Sequence, residues 1–360
     1  MGCGSGRPPP ETTSLLPSED ASSNPSFEAG TRKPPGCGQK SDGSYCDCVD
    51  VPLFGEAPNM YFVLDRSGSM AQNGKWDQVR STVAKVMRDL GPRASFGATV
   101  FPGEEASDRC TAPKEVMTTR PGDSPASDKE PTTSFLLTAT SAAPSGGTPT
   151  AAAMRFVLPI VKNLSGKTFV VLATDGAPNC NPNKACTIDQ CMPNIEGVDG
   201  CNATTNCCEP PIGDRENCLD GDDTSSAIAA LKSAGYPVYV IGIPGTERYG
   251  ALLDNFAVAG GTAQNGPKYF KVDSPELLLE TMRKIAAKII ASCEIKLKTP
   301  PEDPNLVNVY VDEMVVPQDG DGWKIEGDTV TLLGRTCARI LNGDSLDLRV
   351  IVGCPTEKPR

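Results

Sequence analysis

The chain has 360 residues, a formal net charge of −11 at pH 7 and an ordinary apolar content of 38%, which is enough for a packed core. Its basic residues are scattered, so the acidic balance argues against a nucleic-acid-binding protein, which needs a basic surface. The chain contains no histidine, which excludes nucleophilic catalysis with a histidine base and zinc sites with histidine ligands.

Cysteine usage indicates the compartment. Fifteen cysteines are many for a chain of this length, and none of them form the paired C-x₂-C knuckles that zinc ribbons require. The pattern favours disulfides over zinc, and disulfides persist in oxidising compartments. We therefore expect an extracytoplasmic protein, at the cell surface, in the periplasm or secreted.

The N-terminal segment, residues 1–57, is rich in proline, glycine and serine and poor in large apolar residues. This composition predicts a flexible tether. Three cysteines near its end, Cys37, Cys46 and Cys48, are expected to attach it covalently to the folded body.

The first residues resemble the start of a mature bacterial lipoprotein, because Gly2-Cys3 matches the junction of a lipobox. No apolar run forms a signal-peptide core or reaches the length of a transmembrane helix. If Cys3 carries lipid, an export signal lies upstream, and the fourteen remaining cysteines suffice for seven disulfides. The alternative is an unmodified Cys3 in a tail. Contact with a membrane is expected only through such a lipid.

Short, continuous apolar runs predict buried strands, which are typical of a parallel sheet covered on both faces. These runs are residues 60–64, 96–101, 169–173 and 238–243. Helical periodicity separates them and follows them, over residues 76–90, 154–164, 227–231 and 278–289, with Thr224-Ser225 as the expected cap of the third helix. The alternation predicts an α/β fold with a doubly wound, mostly parallel sheet over residues 58–292.

The pattern changes after Cys293. Short, partly alternating segments separated by turn residues predict a small antiparallel β module over residues 293–360. Cys293, Cys337 and Cys354 are expected to cross-link it, and because three is an odd number, at least one of them pairs elsewhere or stays free.

Five oxygen-bearing residues follow the predicted strands at the edge where ligands bind in such sheets. Asp65, Ser67 and Ser69 form a D-x-S-x-S motif directly after the first strand, and Asp175 ends another strand. Thr148 lies on a glycine-containing loop that leads into a helix. The carboxyl ends of parallel strands share one crevice, so these side chains can converge. Oxygen donors suit Mg²⁺, or Mn²⁺, whereas Ca²⁺ more often recruits bidentate carboxylates and carbonyls.

Taken one at a time, these residues also fit purely structural roles. Asp65 and Asp175 could cap helices, and Gly146-Gly147 could be only a turn. Their joint occurrence in one chain order is the stronger signal.

In that order, the five residues resemble the metal-ion-dependent adhesion site of the von Willebrand factor A (VWA) family, which includes integrin I domains and many bacterial surface proteins. The resemblance covers about residues 58–292. It implies that Ser67, Ser69 and Thr148 ligate the metal directly and that Asp65 and Asp175 act mostly through water. It also implies a free coordination position for an acidic group on a partner.

A cysteine-rich insertion, residues 177–222, separates Asp175 from the next helix. It contains seven cysteines and little that could form an apolar core. A loop of this length is functional or disordered, and disulfides can order it. We expect a disulfide-linked cap beside the metal that selects the partner; the alternative is a cross-linked loop with no binding role.

The leading functional hypothesis is therefore an adhesion-type module that binds the acidic group of a protein or other ligand through Mg²⁺. A second hypothesis is a structural scaffold of an envelope assembly, in which the metal stabilises the fold. A Mg²⁺-dependent hydrolase is the least favoured, because no general base stands out beyond the metal ligands.

Overall fold

A computed structural model describes residues 49–51, 57–103, 110–124, 129–290, 293–297, 299–312, 314–342 and 348–356. Apart from Val49–Val51, the predicted tether lies outside these residues. The lipid expected on Cys3 and the cross-links expected from Cys37, Cys46 and Cys48 therefore lie outside them as well.

A six-stranded sheet forms the centre of the fold, with the strand order β4-β3-β2-β5-β6-β7. Its strands are β2 (Asn59–Asp65), β3 (Ser95–Phe101), β4 (Lys114–Pro121), β5 (Thr168–Thr174), β6 (Val238–Gly242) and β7 (Phe270–Lys271). All neighbours pair in parallel except β4, which runs antiparallel to β3 at one edge. The predicted fold class, an α/β fold with a mostly parallel sheet, is confirmed.

Helices cover both faces of this sheet. They are α1 (Lys75–Leu90), α2 (Pro131–Ala139), α3 (Thr150–Lys162), α5 (Gly221–Ser233), α6 (Gly250–Gly260) and α7 (Pro275–Ile290). Phe62 and Leu64 of β2 pack with α1, α2 and α7, whereas Tyr61 and Val63 pack with α3, α5 and α6. Because successive strand residues face opposite sides, a strand covered on both sides must be apolar throughout.

The four predicted strands and four predicted helices are present, but several elements carried too weak a pattern to be predicted. The edge strand β4 is only partly buried, so it lacks a continuous apolar run. The short β7 and the helices α2 and α6 were also missed. Helix α5 begins at Gly221, so Thr224 is a buried residue inside it rather than its cap.

The C-terminal region forms two small antiparallel sheets, with the strand orders β1-β13-β9-β10 and β11-β12-β8. Their elements are β1 (Val49–Val51), β8 (Glu294–Lys296), β9 (Val307–Val311), β10 (Met314–Val316), β11 (Trp323–Glu326), β12 (Thr329–Leu332), β13 (Leu348–Val352) and the unpredicted helix α8 (Gly334–Asn342). Trp323 is fully buried among their apolar residues. Of the three predicted cross-linking cysteines, Cys293 and Cys337 form a disulfide, and Cys354 is buried.

Strand β1 lies outside the region to which the sequence analysis assigned it. Although Val49–Val51 precede the central sheet, they pair with β13, which follows it. Three residues of the predicted tether therefore belong to the same sheet as the C-terminal strands.

The insertion is ordered by disulfides. Three of them lie within it, Cys186–Cys218, Cys191–Cys208 and Cys201–Cys207, and a fourth joins Cys180 to Cys110 on the segment between β3 and β4. Its regular structure is limited to 3-10 turns and the short helix α4 (Met192–Glu196). In the described part of the chain, no helix is both long and apolar enough to cross a membrane.

Candidate metal centre

Asp65 is held at the point where the two central strands end. It is the last residue of β2 and is fully buried. Its Oδ1 accepts a hydrogen bond from the backbone N of Ser67 at 2.8 Å, and its Oδ2 accepts one from the hydroxyl of Thr174, the last residue of β5, at 2.5 Å. The carboxylate therefore joins the ends of two adjacent strands.

The next two motif residues connect this strand end to Asp175. The Ser67 and Ser69 hydroxyls lie 3.2 Å apart, and Ser69 Oγ donates to Asp175 Oδ1 at 2.7 Å. The other carboxylate oxygen of Asp175, Oδ2, accepts a hydrogen bond from Lys75 Nζ at 2.7 Å. Serines from one strand end and an aspartate from the next thus share one hydrogen-bonded cluster.

Backbone contacts bring the loop that carries Thr148 to the same cluster. The N–H of Gly68 donates to the carbonyl of Gly146 at 3.0 Å. Thr148 is fixed from the insertion, because its backbone N donates to the side-chain Oδ1 of Asn179 at 2.7 Å. In return, the backbone N of Asn179 donates to the carbonyl of Thr148 at 3.0 Å.

These groups surround a cavity of about 480 Å³. Ser67, Ser69, Thr148 and Asp175 line it, and Asp65 lies behind Ser67. The structure therefore brings all five predicted residues together. The insertion forms part of the wall through Asn179, Met192 and Glu196, and the segment after β6 completes it with Gly245, Arg248 and Tyr249.

The two carboxylates affect each other electrostatically. Burial, and then the nearby negative charge of Asp175, raise the pKa of Asp65 to about 7, despite hydrogen bonds from Thr174 and Ser67 that act in the opposite direction. Two buried carboxylates that interact in this way repel each other, and a bound cation would relieve that repulsion.

The donor set fits a hard divalent cation. Two carboxylates and three hydroxyls supply oxygen ligands only, which suits Mg²⁺ or Mn²⁺ better than a soft metal. Neither cysteine nor histidine is among the described residues that line the cavity. The residues that would hold the ion are Asp65, Ser67, Ser69, Thr148 and Asp175.

Sequence reasoning missed two residues that shape this site, Lys75 and Asn179. Lys75 is the first residue of α1, and its ion pair with Asp175 spans 100 positions in the chain. A lysine at the start of a helix is unfavourable, because the helix N-terminus carries partial positive charge, and this is a weak signal that could have drawn attention to Lys75. Asn179 lies in the insertion, where asparagines are common and no local pattern marks the one that holds Thr148.

Comparison with protein families gives one match: residues 59–195 match the model of the von Willebrand factor type A domain, and all five candidate ligands fall inside that range. No curated protein matches the chain.

Several solved structures resemble the chain at low identity. The pilus adhesin SpaC of Lactobacillus rhamnosus GG is 17% identical with a TM-score of 0.48; the match covers 83% of this chain and 39% of SpaC. The vWF domain of the type V pili tip protein Mfa5 of Porphyromonas gingivalis is 13% identical with a TM-score of 0.46, covering 68% of this chain and 98% of that one. A von Willebrand factor type A structure from Catenulispora acidiphila is 14% identical with a TM-score of 0.40, covering 85% and 59%. The chain thus spans about two fifths of the length of SpaC.

The family match and the architecture agree. The matched range contains the D-x-S-x-S strand end, the threonine loop and the second aspartate, and the mostly parallel sheet with helices on both faces has the VWA fold. Residues 59–195 are therefore similar to the von Willebrand factor type A domain, and the central sheet to which they contribute has the VWA fold.

Proposed function

We propose that this protein is an adhesion-type binding module, which uses one divalent cation, Mg²⁺ or Mn²⁺, to bind a partner through a carboxylate. The convergence of Ser67, Ser69, Thr148 and Asp175 on one cavity, with the Asp65 carboxylate hydrogen-bonded behind Ser67, carries this proposal. When bound, the ion would supply positive charge to attract a carboxylate oxygen of the partner.

The surroundings of the site favour binding over catalysis. Hydrogen bonds hold the side chains of Asp65, Ser69 and Asp175. Among the described residues that line the cavity, the only carboxylate outside the candidate ligand set is Glu196. That carboxylate accepts a hydrogen bond from the Tyr249 hydroxyl at 3.2 Å, which occupies it structurally. We therefore propose no enzymatic activity.

An extracytoplasmic location is part of the same proposal. Five disulfides are present among the described residues, and they need an oxidising compartment to form and persist. Whether a lipid on Cys3 anchors the protein stays a prediction, which intact-mass analysis of the exported protein would test.

The direct test is calorimetric titration with Mg²⁺, Mn²⁺ and Ca²⁺. We expect one bound ion per chain, and at 100 times the dissociation constant the ion should stabilise the fold by about 2.7 kcal/mol. Ser69→Ala should weaken Mn²⁺ binding at least about tenfold, because it removes one ligand. Ser81→Ala is the matched control, since Ser81 is an exposed α1 residue that bonds only to the backbone of its own helix. Absence of binding at millimolar ion concentrations would refute the proposal.

Removal of the metal distinguishes an adhesion-type module from the alternative, a structural scaffold. An adhesion-type module treated with EDTA keeps its far-ultraviolet circular dichroism but loses its affinity for a carboxylate probe such as acetate. A scaffold stabilised by its metal unfolds instead.

A further inference from the structure

The cation nearest to the candidate ligands belongs to the protein itself. Lys75 Nζ lies 2.7 Å from Asp175 Oδ2, and the side chains of Lys75 and Asp175 are 9% and 0% exposed. Most of the other ion pairs among the described residues involve groups that are substantially exposed. This pair is therefore a buried feature of the site and not one of the surface pairs, which contribute little.

The position of Lys75 is locally unfavourable. It is the first residue of α1, where the partial positive charge of the helix N-terminus repels a cation. Burial of an ammonium group adds a further cost. Asp175 offsets both costs in the folded protein, and a local rule broken beside a candidate site often marks a functional residue.

The segment after β6 leaves room for the ammonium group. A Cβ on Gly245 would lie 3.1 Å from Lys75 Nζ and 2.7 Å from the backbone oxygen of Asp175. Gly245 also has a φ of +123°, which residues with side chains rarely adopt. Glycine at this position therefore keeps the lysine and the aspartate in contact.

Lys75 changes the net charge of the site. With both aspartates ionised, Asp65, Asp175 and Lys75 together carry one net negative charge. A bound divalent ion changes this to one net positive charge, which a single carboxylate of a partner neutralises. Without the lysine, the loaded site would be neutral before the partner arrives, and binding the same carboxylate would leave it negative. Glu196 and Arg248, which also line the cavity, carry opposite charges and do not change this balance.

We propose that Lys75 is a built-in counter-ion of the metal site: it neutralises Asp175 in the metal-free protein, weakens binding of the divalent ion and favours an anionic partner once the ion is bound. This inference rests on the proposed function, because it concerns the same ion. It assigns to Lys75 a role in specificity, through charge and not through ligation.

The test measures Mn²⁺ affinity by calorimetry in the wild type, Lys75→Gln and Lys75→Arg. Glutamine can still donate a hydrogen bond to Asp175 but carries no charge, so we expect Mn²⁺ to bind at least about tenfold more tightly. Arginine keeps the charge, and its affinity should stay within about threefold of the wild type. Lys184→Gln is the matched control, since it removes the same charge from an ion pair with the exposed Asp222 in the insertion region; its affinity should not change.

A second measurement uses the Mn²⁺-loaded proteins with acetate as the probe, followed by the relaxation of water protons. Acetate should bind at least about threefold more weakly to Lys75→Gln than to the wild type. If Lys75→Gln does not fold, the Lys75 side-chain resonances of the wild type provide the test, because they should shift when Mg²⁺ is added, and unshifted resonances would overturn the inference.

The outcomes distinguish the two proposals. Failure of both the wild type and Lys75→Gln to bind Mn²⁺ would overturn the proposed function and this inference with it. Equal Mn²⁺ affinities in those two proteins would overturn the role of Lys75 and leave the proposed function standing. A rise in affinity in Lys75→Arg equal to that in Lys75→Gln would also overturn it, because the positive charge would not be the cause.

Discussion

The central sheet and the insertion face the same cavity but are ordered by different forces. The sheet is held by apolar burial, with strand residues such as Leu64 and Leu172 fully inaccessible to solvent. The buried residues at the centre of the insertion are cysteines, and large apolar residues such as Ile212 are exposed. A long segment with little to bury can thus be ordered by covalent cross-links, which restrict the unfolded chain.

The two regions meet at a few specific contacts. Met192, Ile195 and Leu219 of the insertion pack against the apolar layer beneath α3, α5 and α6. The guanidinium of Arg248 donates to the backbone oxygen of Ile195 at 2.9 Å. We therefore expect the central sheet to stay folded without the disulfides of the insertion. The part of the cavity wall that the insertion forms should lose its structure without them.

The largest expected effect comes from the core of the sheet. Leu172→Ala removes a fully buried side chain from β5 and should lower the free energy of unfolding by about 2–5 kcal/mol. Ile212→Ala, a similar truncation at a position in the insertion that is 63% exposed, should change it by less than about 0.5 kcal/mol. Chemical denaturation measures both, and equal losses would contradict the view that only the sheet depends on apolar burial.

The next effect comes from a cross-link of the insertion. Replacing Cys191 and Cys208 together by serine opens a disulfide between residues 17 positions apart, which should cost about 3 kcal/mol on the loop-entropy estimate. We expect the loss to be local, so amide hydrogen exchange should accelerate within the insertion and stay unchanged in β5. Faster exchange throughout β5 would show that the two regions unfold as one unit.

A smaller effect is expected where the insertion holds a candidate ligand. Asn179→Ala leaves the backbone N–H of Thr148 without its side-chain acceptor, which should cost about 1–3 kcal/mol. The same substitution should lower the Mn²⁺ affinity several-fold, because the loop that carries Thr148 loses its fixed position. Asn183→Ala, at an exposed position of the same insertion, is the control and should leave Mn²⁺ affinity unchanged.

The smallest effect concerns a single contact between the two regions. Burial, and then the carboxylate of Glu196, raise the pKa of Tyr249, so its phenol stays protonated and donates to Glu196. Tyr249→Phe removes that hydrogen bond and should cost about 1 kcal/mol. A thermal scan should show a small decrease in Tm, with Mn²⁺ affinity retained. A large loss of Mn²⁺ affinity would mean that this contact orders the whole cavity wall.

In the central sheet, sequence patterns predicted the strands whose burial is nearly complete and missed those that are partly buried or very short. The continuous runs of β2 and β5 exist because helices cover both faces, so the sequence carries a strong signal there. The edge strand β4 and the helix α8 have mixed patterns, and their place depends on neighbours distant in the chain. The pairing of Val49–Val51 with β13 likewise joins residues about 300 positions apart, which no local pattern encodes.

For the site, the sequence by itself determined the set of candidate oxygen donors and the strand ends that carry Asp65 and Asp175, because parallel strands bring their carboxyl ends to one edge. Only the tertiary structure decided which further residues complete the cavity. Lys75 reaches Asp175 because α1 and β5 share the core on one face of the sheet. Asn179, which bonds Thr148, precedes Cys180, and a disulfide joins Cys180 to Cys110. Ion pairs and hydrogen bonds of this kind depend on distances that are fixed only once the core has packed, and spacing along the chain does not reveal them.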